Sequence, residues 1–158
     1  MDEQLIFMDS PVGRIGIRGT AEYISAVLFE DDTKEYVATP NAAPLLYTAA
    51  QQLEEYFNKE RKVFDLPIQQ PGTAFQQLVW QHLTTIPFGE TITYLALAKR
   101  IGNVKSIRAV GTTNGKNALA IVVPCHRVIG ANGVLTGYAG GLWRKQWLLD
   151  HEKGGLLF

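Results

Sequence analysis

The single cysteine of the chain, Cys125, stands in the segment "IVVPCHRVIG" at residues 121–130. A thiolate is a strong nucleophile, and an ordinary free thiol has a pKa of about 8.5. His126 and Arg127 follow directly and would bring cationic donors to the sulfur. Pro124 fixes the backbone before it, so we expect a β-branched strand that ends in a bend and presents the thiol in a cleft. The pattern favours a nucleophile; a small buried hydrophobe is the alternative.

A histidine that acts as a base needs an acceptor to orient it. Glu152 is one of only three acidic residues in residues 72–158 and is the candidate partner of His126, with an ordinary surface glutamate as the alternative. Neighbouring residues in extended chain point apart, so the histidine would reach the thiol through a water or after the bend. His82, His126 and His151 show no ligand spacing with the one cysteine, and we expect neither a metal nor a cofactor.

Helices are predicted around this segment. Thr73 can cap a helix over residues 74–86, and Thr93 can cap "YLALAKRI", which Gly102 ends. Asn103 can cap a third helix, "VKSIRAVGTTN". Because only a glycine and an asparagine separate the second and third helices, they predict a helix-turn-helix.

The third helix has two different faces. Val104, Ile107 and Val110 share the face that we expect to point inward. The other face carries Lys105, Arg108, Ala109, Thr112 and Lys116. Small residues in the middle of a basic face would let the helix backbone approach the minor groove of DNA, which is only about 6 Å wide. An ordinary solvent-exposed face is the alternative.

The first half of the chain predicts a different kind of domain. "QLIFM", "RIGIRG" and "YISAVLFE" predict antiparallel strands, residues 41–58 a helix, and "KVFDLPI" a further strand. Proline and glycine in "QQPGT" mark a boundary. The predicted domains are therefore residues 1–70 and 71–158.

The charge changes sign at the same boundary. Residues 1–71 hold 6 Lys or Arg and 12 Asp or Glu, a net charge of −6, whereas residues 72–158 hold 9 and 3, a net charge of +6. The basic half suggests a polyanionic partner, and two solvated surfaces are the alternative. Apolar runs are too short to span a membrane, the start is acidic and there is one cysteine, so we expect a cytoplasmic protein.

Five blocks in order across residues 71–152 resemble the O6-alkylguanine-DNA alkyltransferases, also called methylated-DNA–protein-cysteine methyltransferases. The blocks are "PGTAFQQLVWQHLTTIPFGETITYLALAKRIG", "RAVGTTNGKN", "IVVPCHRVIG", "GVLTGYAGG" and "KQWLLDHE". The resemblance implies an α+β fold. An N-terminal domain of antiparallel sheet plus helix, ribonuclease-H-like, would be followed by a mainly helical, winged-helix-like DNA-binding domain with a helix-turn-helix.

The same resemblance implies catalytic roles for five residues. Cys125 would accept the alkyl group. His126 and Glu152 would form, with a water, the relay that deprotonates the thiol. Tyr94 would hydrogen-bond guanine N3, and Asn117 would brace the active-site turn.

The resemblance also implies how the lesion is bound. The second helix of the helix-turn-helix would enter the minor groove, and Arg108 would replace the extruded nucleotide. Other residues on that helix would contact the DNA: Lys105, Ala109 and Thr112. The pocket for the flipped base would be formed by Val128, Tyr138, Ala139 and Lys145.

The function that these roles imply is direct-reversal DNA repair. A monomer would flip O6-alkylguanine, or O4-alkylthymine, out of double-stranded DNA and transfer the alkyl group irreversibly to Cys125. The chain departs from the family at Ala118, where many relatives carry proline, and at Ala139, where some carry serine. A cysteine hydrolase is one alternative function. A non-catalytic protein that binds alkylated DNA is another, and the presence of the cysteine argues against it.

Overall fold

The chain divides between Gln70 and Pro71 into two units in the computed structural model, which describes residues 2–154. This division falls within the segment where proline and glycine interrupt the pattern and where the charge changes sign. Each unit has buried apolar side chains of its own.

The first unit is a three-stranded antiparallel sheet covered by one helix. Its strands are β1 (Gln4–Met8), β2 (Ile15–Gly19) and β3 (Ile24–Phe29), in the order β1-β2-β3. Helix α1 (Pro44–Phe57) turns a single apolar face inward. The spacing of its buried residues follows the helical repeat: Leu46, Ala49, Leu53 and Tyr56. The three predicted strands and the predicted helix are confirmed.

The strand predicted at "KVFDLPI" is wrong. Only one bridge forms, parallel, between Ile68 and Ile24. The side chain of Gln52 binds the backbone of Asp65 instead, accepting from its N–H at 2.9 Å and donating to its carbonyl at 3.0 Å. Pro67 has no backbone N–H and so cannot donate a hydrogen bond to a neighbouring strand. The segment is thus held by the Gln52 side chain and by two backbone bonds at Ile24, which donates to Pro67 O at 2.8 Å and accepts from Gln69 N–H at 2.9 Å.

The second unit contains four α-helices and a short sheet within the described residues. The helices are α2 (Ala74–Leu83), α3 (Tyr94–Ile101), α4 (Ile107–Gly115) and α5 (Leu142–Gly154). Strand β4 (Ile92–Thr93) pairs in parallel with β5 (Val128–Ile129). The buried indole of Trp80 on α2 donates to the carbonyl of Thr113 on α4 at 3.1 Å, which ties two helices together.

The predicted helix-turn-helix is formed by α3 and α4. Thr93 caps α3 by accepting from Ala96 N–H, and Gly102 ends it with φ of +97°, a conformation that favours glycine. Asn103 caps a 3-10 turn, Val104–Ser106, rather than the α-helix itself. The helix-turn-helix prediction is confirmed, with a third helix that begins three residues later than expected.

The predicted inner face of the third helix is only partly right. Val110 is fully buried, but Val104 is 50% exposed and Ile107 is 37% exposed. The tighter 3-10 turn places Val104 off the line of the α-helical face. Ile107 instead lines an open cavity, which is part of the candidate site.

No helix within residues 2–154 has both the length and the apolar character that crossing a lipid bilayer requires.

Candidate active site

The backbone before Cys125 is a turn and not the predicted strand. Val122 N–H bonds to Ala120 O at 2.7 Å, Val123 N–H bonds to Leu119 O at 2.9 Å, and Ile121 has a φ of +70°. β-branched residues favour strands in general. Here the local hydrogen bonds of the turn outweigh that preference.

Asn117 holds this turn with its amide group. Its Nδ2 donates to Val123 O at 2.8 Å and to Leu119 O at 3.3 Å, and its Oδ1 accepts from Leu119 N–H at 3.1 Å. One side chain therefore satisfies backbone groups on both sides of the bend. Asn114, which the sequence reasoning passed over, donates from Nδ2 to the carbonyl of Cys125 at 3.3 Å. Together the two amides place the thiol.

Cys125 begins a 3-10 turn, Cys125–Arg127, and is only 6% exposed. Burial raises the pKa of its thiol above the ordinary value. A hydrogen bond from the Asn117 side chain and the positive charge of Lys145 oppose that rise without cancelling it. The thiol thus keeps its proton at neutral pH unless a base removes it.

His126 directly follows Cys125 in the chain, is bound to Glu152 and is fully buried. Its Nε2 is 2.6 Å from Glu152 Oε2, and a carboxylate can only accept, so the ring donates from Nε2. Nδ1 is buried and has no hydrogen-bond partner among residues 2–154. Burial lowers the pKa of His126, although Glu152 works to raise it. The ring is therefore a neutral imidazole with its lone pair on Nδ1.

The prediction that Arg127 brings a positive charge to the thiol is wrong. This side chain does not stand beside the thiol as a cationic neighbour. Its Nε donates to Glu152 Oε1 at 2.9 Å, its Nη2 donates to Oε2 at 3.1 Å, and its Nη1 donates to Ile86 O at 2.6 Å. Consecutive residues of a 3-10 turn point about 120° apart, which sends the arginine away from the sulfur.

Glu152 is almost fully buried and accepts bonds from three residues. Besides His126 and Arg127, the N–H of Gly89 donates to its Oε1 at 3.2 Å. Burial alone would raise the pKa of this carboxyl, but the bonds and charges of His126 and Arg127 outweigh it and hold the pKa far below its usual range. The carboxylate therefore stays ionised and anchors the imidazole.

Lys145 is the cation that acts on the thiol. It is buried on α5, and its Nζ donates to Thr136 O at 3.1 Å. Burial lowers the pKa of Lys145, while the thiolate form of Cys125 raises it. The two charges thus favour each other: the ammonium of Lys145 favours the thiolate of Cys125, and the thiolate favours the ammonium.

An open cavity of about 710 Å³ lies between α4 and the segment after β5. Its walls include five of the predicted site residues: Tyr94, Arg108, Thr112, Tyr138 and Ala139. Burial raises the pKa of Tyr138 well above its usual value, and the charge of Cys125 contributes next. Tyr138 thus lines the cavity, and the charge of Cys125 acts on its hydroxyl.

The predicted residues thus form two groups. One is connected to the thiol by sequence, hydrogen bonds or charge and comprises Cys125, His126, Glu152, Asn117 and Lys145, while Tyr138 belongs to both groups. The other lines the cavity. Lys105 and Ala109 are exposed but are not among the cavity-lining residues, and Val128 is buried beside the thiol in β5. His, Cys, Asp and Glu side chains form no group of three or more that could hold a metal ion within residues 2–154.

Two residues of the site were missed by the sequence reasoning. Asn114 lies three residues before Asn117 near the end of α4, and this spacing was the available signal. Thr136 contacts both Lys145 and Tyr94. The glycine-rich block "GVLTGYAGG" was identified in the sequence, but nothing in it singled out Thr136.

Two family models match the chain, one for each unit. Residues 5–70 match the 6-O-methylguanine DNA methyltransferase, ribonuclease-like domain, and residues 74–154 match the 6-O-methylguanine DNA methyltransferase, DNA binding domain. Together they cover nearly all of the described chain. The α+β fold expected from the sequence is confirmed by these matches.

Individual proteins that are similar to this chain belong to the same family as the two family models. A methylated-DNA–protein-cysteine methyltransferase of Methanosarcina acetivorans is 47% identical over 91% of this chain and 94% of its own length. The constitutive enzyme of that name from Bacillus subtilis is 52% identical over 75% of this chain and 70% of its own. A crystal structure of Mycobacterium tuberculosis OGT in complex with DNA is 44% identical, with a TM-score of 0.86 over 94% of this chain and 92% of that one. Since similarity of this extent includes both units and the segment that holds the thiol, the chain belongs to the 6-O-methylguanine DNA methyltransferase family.

Proposed function

We propose that this protein repairs alkylated DNA by moving the alkyl group of O6-alkylguanine, or of O4-alkylthymine, to Cys125 in one irreversible turnover. The observation that carries the proposal is a single juxtaposition. A buried thiol is followed directly in the chain by a histidine that a glutamate orients, and an open cavity lies against helix α4, which carries Arg108. Family membership supports the same reaction.

The buried imidazole is the base for the thiol. The Nε2–H group of His126 donates a hydrogen bond to Glu152, so the ring lone pair is on Nδ1. Nδ1 has no hydrogen-bond partner among residues 2–154. We place one water between Nδ1 and the sulfur of Cys125 to carry the proton. The ionised carboxylate then stabilises the imidazolium as it forms, which is the role of the acid in catalytic triads.

The transfer step is a displacement at the alkyl carbon. The sulfur anion forms a bond to that carbon, and the carbon–O6 bond breaks with its electron pair moving to the guanine. The guanine gains a proton at N1, which balances the one that the thiol has lost. The product is a thioether, which has no polarised bond for water to attack. Each protein molecule therefore repairs one lesion.

The lesion must leave the base stack before the sulfur can reach it. Flipping a nucleotide costs a few kcal/mol. Arg108 is exposed on α4 at the edge of the cavity, where it can fill the gap and meet phosphates. Exposed Ala109 and Thr112 allow α4 to approach a narrow minor groove.

Within the cavity, side chains and backbone groups would read the flipped base. Tyr94 would donate to guanine N3, and Tyr138 would pack beside the ring. The carbonyl of Cys125 already accepts from Asn114 and from the N–H of Val128. The N–H of Val128 is therefore already bonded as well, and the backbone of Ala139, which lines the cavity, would carry most of the hydrogen bonding to the base edge.

The test is intact-mass analysis after incubation with a duplex that carries one O6-methylguanine. We expect the mass of one methyl group, mapped to the peptide with Cys125, and a final amount of repaired DNA equal to the amount of protein. Cys125→Ser is the matched control, and we expect it to bind the duplex but gain no mass. Repeated turnover would indicate a hydrolase. Selective binding without any mass gain by the wild type would indicate a non-catalytic binder.

A further inference from the structure

Two hydroxyl groups meet on the wall of the cavity. Thr136 Oγ1 and Tyr94 Oη are 3.1 Å apart, within hydrogen-bonding distance, and both residues line the cavity. Thr136 is exposed and Tyr94 is half-buried. The reaction proposed above assigns a role to the tyrosine and none to the threonine.

We propose that Thr136 is a positioning residue that directs the hydroxyl proton of Tyr94 toward the flipped base. This inference rests on the proposed function, because it concerns the same base pocket. A tyrosine hydroxyl has one proton to donate and can also accept. When Thr136 donates to it, the tyrosine proton must point elsewhere, and the cavity is the side that remains open.

The arrangement also strengthens the tyrosine as a donor. A hydroxyl that accepts one hydrogen bond is polarised and donates a stronger one, because chains of hydrogen bonds reinforce each other. The effect grows when water is excluded, so a base that fills the cavity would increase it. Thr136, Tyr94 and the ring nitrogen N3 would then form a short donor chain.

Both partners are held in place by other contacts. The carbonyl of Thr136 accepts from the buried Nζ of Lys145 at 3.1 Å. The ring of Tyr94 packs over Gly111, where an added Cβ would lie 3.8 Å from it. The same Nζ lies 5.9 Å from the centroid of that ring. Because these contacts already restrict both side chains, keeping the two hydroxyls bonded when DNA binds costs little conformational entropy.

The direction of the hydrogen bond makes an observable difference. If Thr136 donates, its loss leaves the tyrosine proton free to turn away from the base, and transfer slows. If Tyr94 donated to Thr136 instead, removing the threonine hydroxyl would release the proton, and transfer would become faster.

The experiment compares two substitutions of Thr136 in the full chain, using single-turnover kinetics on a duplex with one O6-methylguanine. Thr136→Val keeps the shape but removes the hydroxyl, and Thr136→Ser keeps the hydroxyl. We expect valine to lower the limiting rate by about three- to tenfold, the range for one hydrogen bond, with serine within about twofold of wild type. The half-saturating DNA concentration should change little in either variant.

Two further measurements separate positioning from packing. In a Tyr94→Phe background, Thr136→Val should have no additional effect, because the partner is already absent. On a lesion built from O6-methyl-3-deazaguanine, which lacks N3, wild type and Thr136→Val should react at the same rate. Equal slowing by valine and serine, or an undiminished effect of valine in either of these two settings, would overturn the inference. Absence of methyl transfer by the wild type would instead overturn the proposed function.

Discussion

His126 Nε2 and Glu152 Oε2 lie 2.6 Å apart in an environment from which solvent is almost excluded. The same carboxylate receives two bonds from Arg127 and one from the backbone of Gly89. The imidazole orientation is therefore fixed before any DNA arrives. This cluster both orients the imidazole and places charged groups in the interior, and each of these has a measurable consequence.

The first prediction concerns the stability of the second unit. Glu152→Gln should lower the free energy of unfolding by about 3–5 kcal/mol, because it leaves the charge of Arg127 buried without its counter-ion. Trp80, Trp143 and Trp147 all belong to this unit, so tryptophan fluorescence during urea unfolding reports on it. Asp150→Asn is the matched control.

Asp150 lies two residues earlier on the same helix and is exposed, with a single bond from Gln146 at 2.8 Å. Its replacement should change the free energy of unfolding by less than about 0.5 kcal/mol. Equal effects of the two substitutions would mean that the buried cluster contributes no more than a surface contact.

The second prediction is the pH dependence of that stability. Burial lowers the pKa of His126, so the unfolded chain takes up a proton near pH 6.5 while the folded chain resists it. The unfolded state then binds more protons, and stability must fall as the pH drops through about 6.5. For Glu152, the bonds to His126 and Arg127 outweigh burial and depress the pKa. Its contribution to the free energy of unfolding is therefore complete above about pH 4.3 and is lost as the pH falls below that value.

Urea midpoints measured between pH 8 and pH 3 would reveal both windows. His126→Gln should remove the decline that begins near pH 6.5, and Glu152→Gln should reduce the steeper one that begins near pH 4.3. A wild-type midpoint that rises between pH 7 and pH 5 would contradict the neutral state of the imidazole.

Local signals in the sequence were sufficient for much of the fold. Thr73, Thr93 and Gly102 act within one helical turn, and each limits a helix where it was predicted to do so. The alternating strands of the first unit were likewise visible from short-range pattern alone. Residue types and spacing indicated Cys125, His126, Glu152 and the helix face with Arg108. The resemblance to a family added roles for Tyr94, Asn117 and the predicted base pocket.

Other features depend on particular side-chain hydrogen bonds and ion pairs, some of them between residues far apart in the chain. The run "IVV" predicted a strand, but Asn117 bonds to the backbone across the bend and makes it a turn. Arg127 is next but one to the thiol in sequence, yet it binds Glu152, 25 residues away. Lys145, 20 residues from Cys125, supplies the positive charge instead. Periodicity and spacing carry no information about such pairings, which follow from tertiary packing.

The third prediction tests the electrostatic role of Lys145. Lys145→Met keeps the length of the side chain and removes the ammonium, so the pKa of the Cys125 thiol should rise further above its ordinary value. One unit of pKa changes the thiolate fraction by about tenfold, and we expect transfer at pH 7 to slow by about that factor.

The pH profile separates charge from packing. If only the charge matters, the limiting rate should recover as the pH is raised, and alkylation of free protein by iodoacetamide should shift to higher pH in parallel. A loss that is equal at every pH would instead show that the bond from Lys145 to Thr136 holds the cavity wall.

The fourth prediction concerns flipping by Arg108. Arg108→Ala should slow transfer on a paired O6-methylguanine by about tenfold, because part of the few kcal/mol spent on unstacking is no longer offset. A lesion placed opposite an abasic site is already unstacked, so its repair should slow by about twofold or less. Lys105→Ala provides the comparison, since Lys105 is exposed in the turn before α4 and would contact only phosphate. Its loss should weaken binding equally for both duplexes and reduce the salt dependence by about one unit of slope. Equal slowing of the two lesions by Arg108→Ala would mean that the arginine serves binding rather than extrusion.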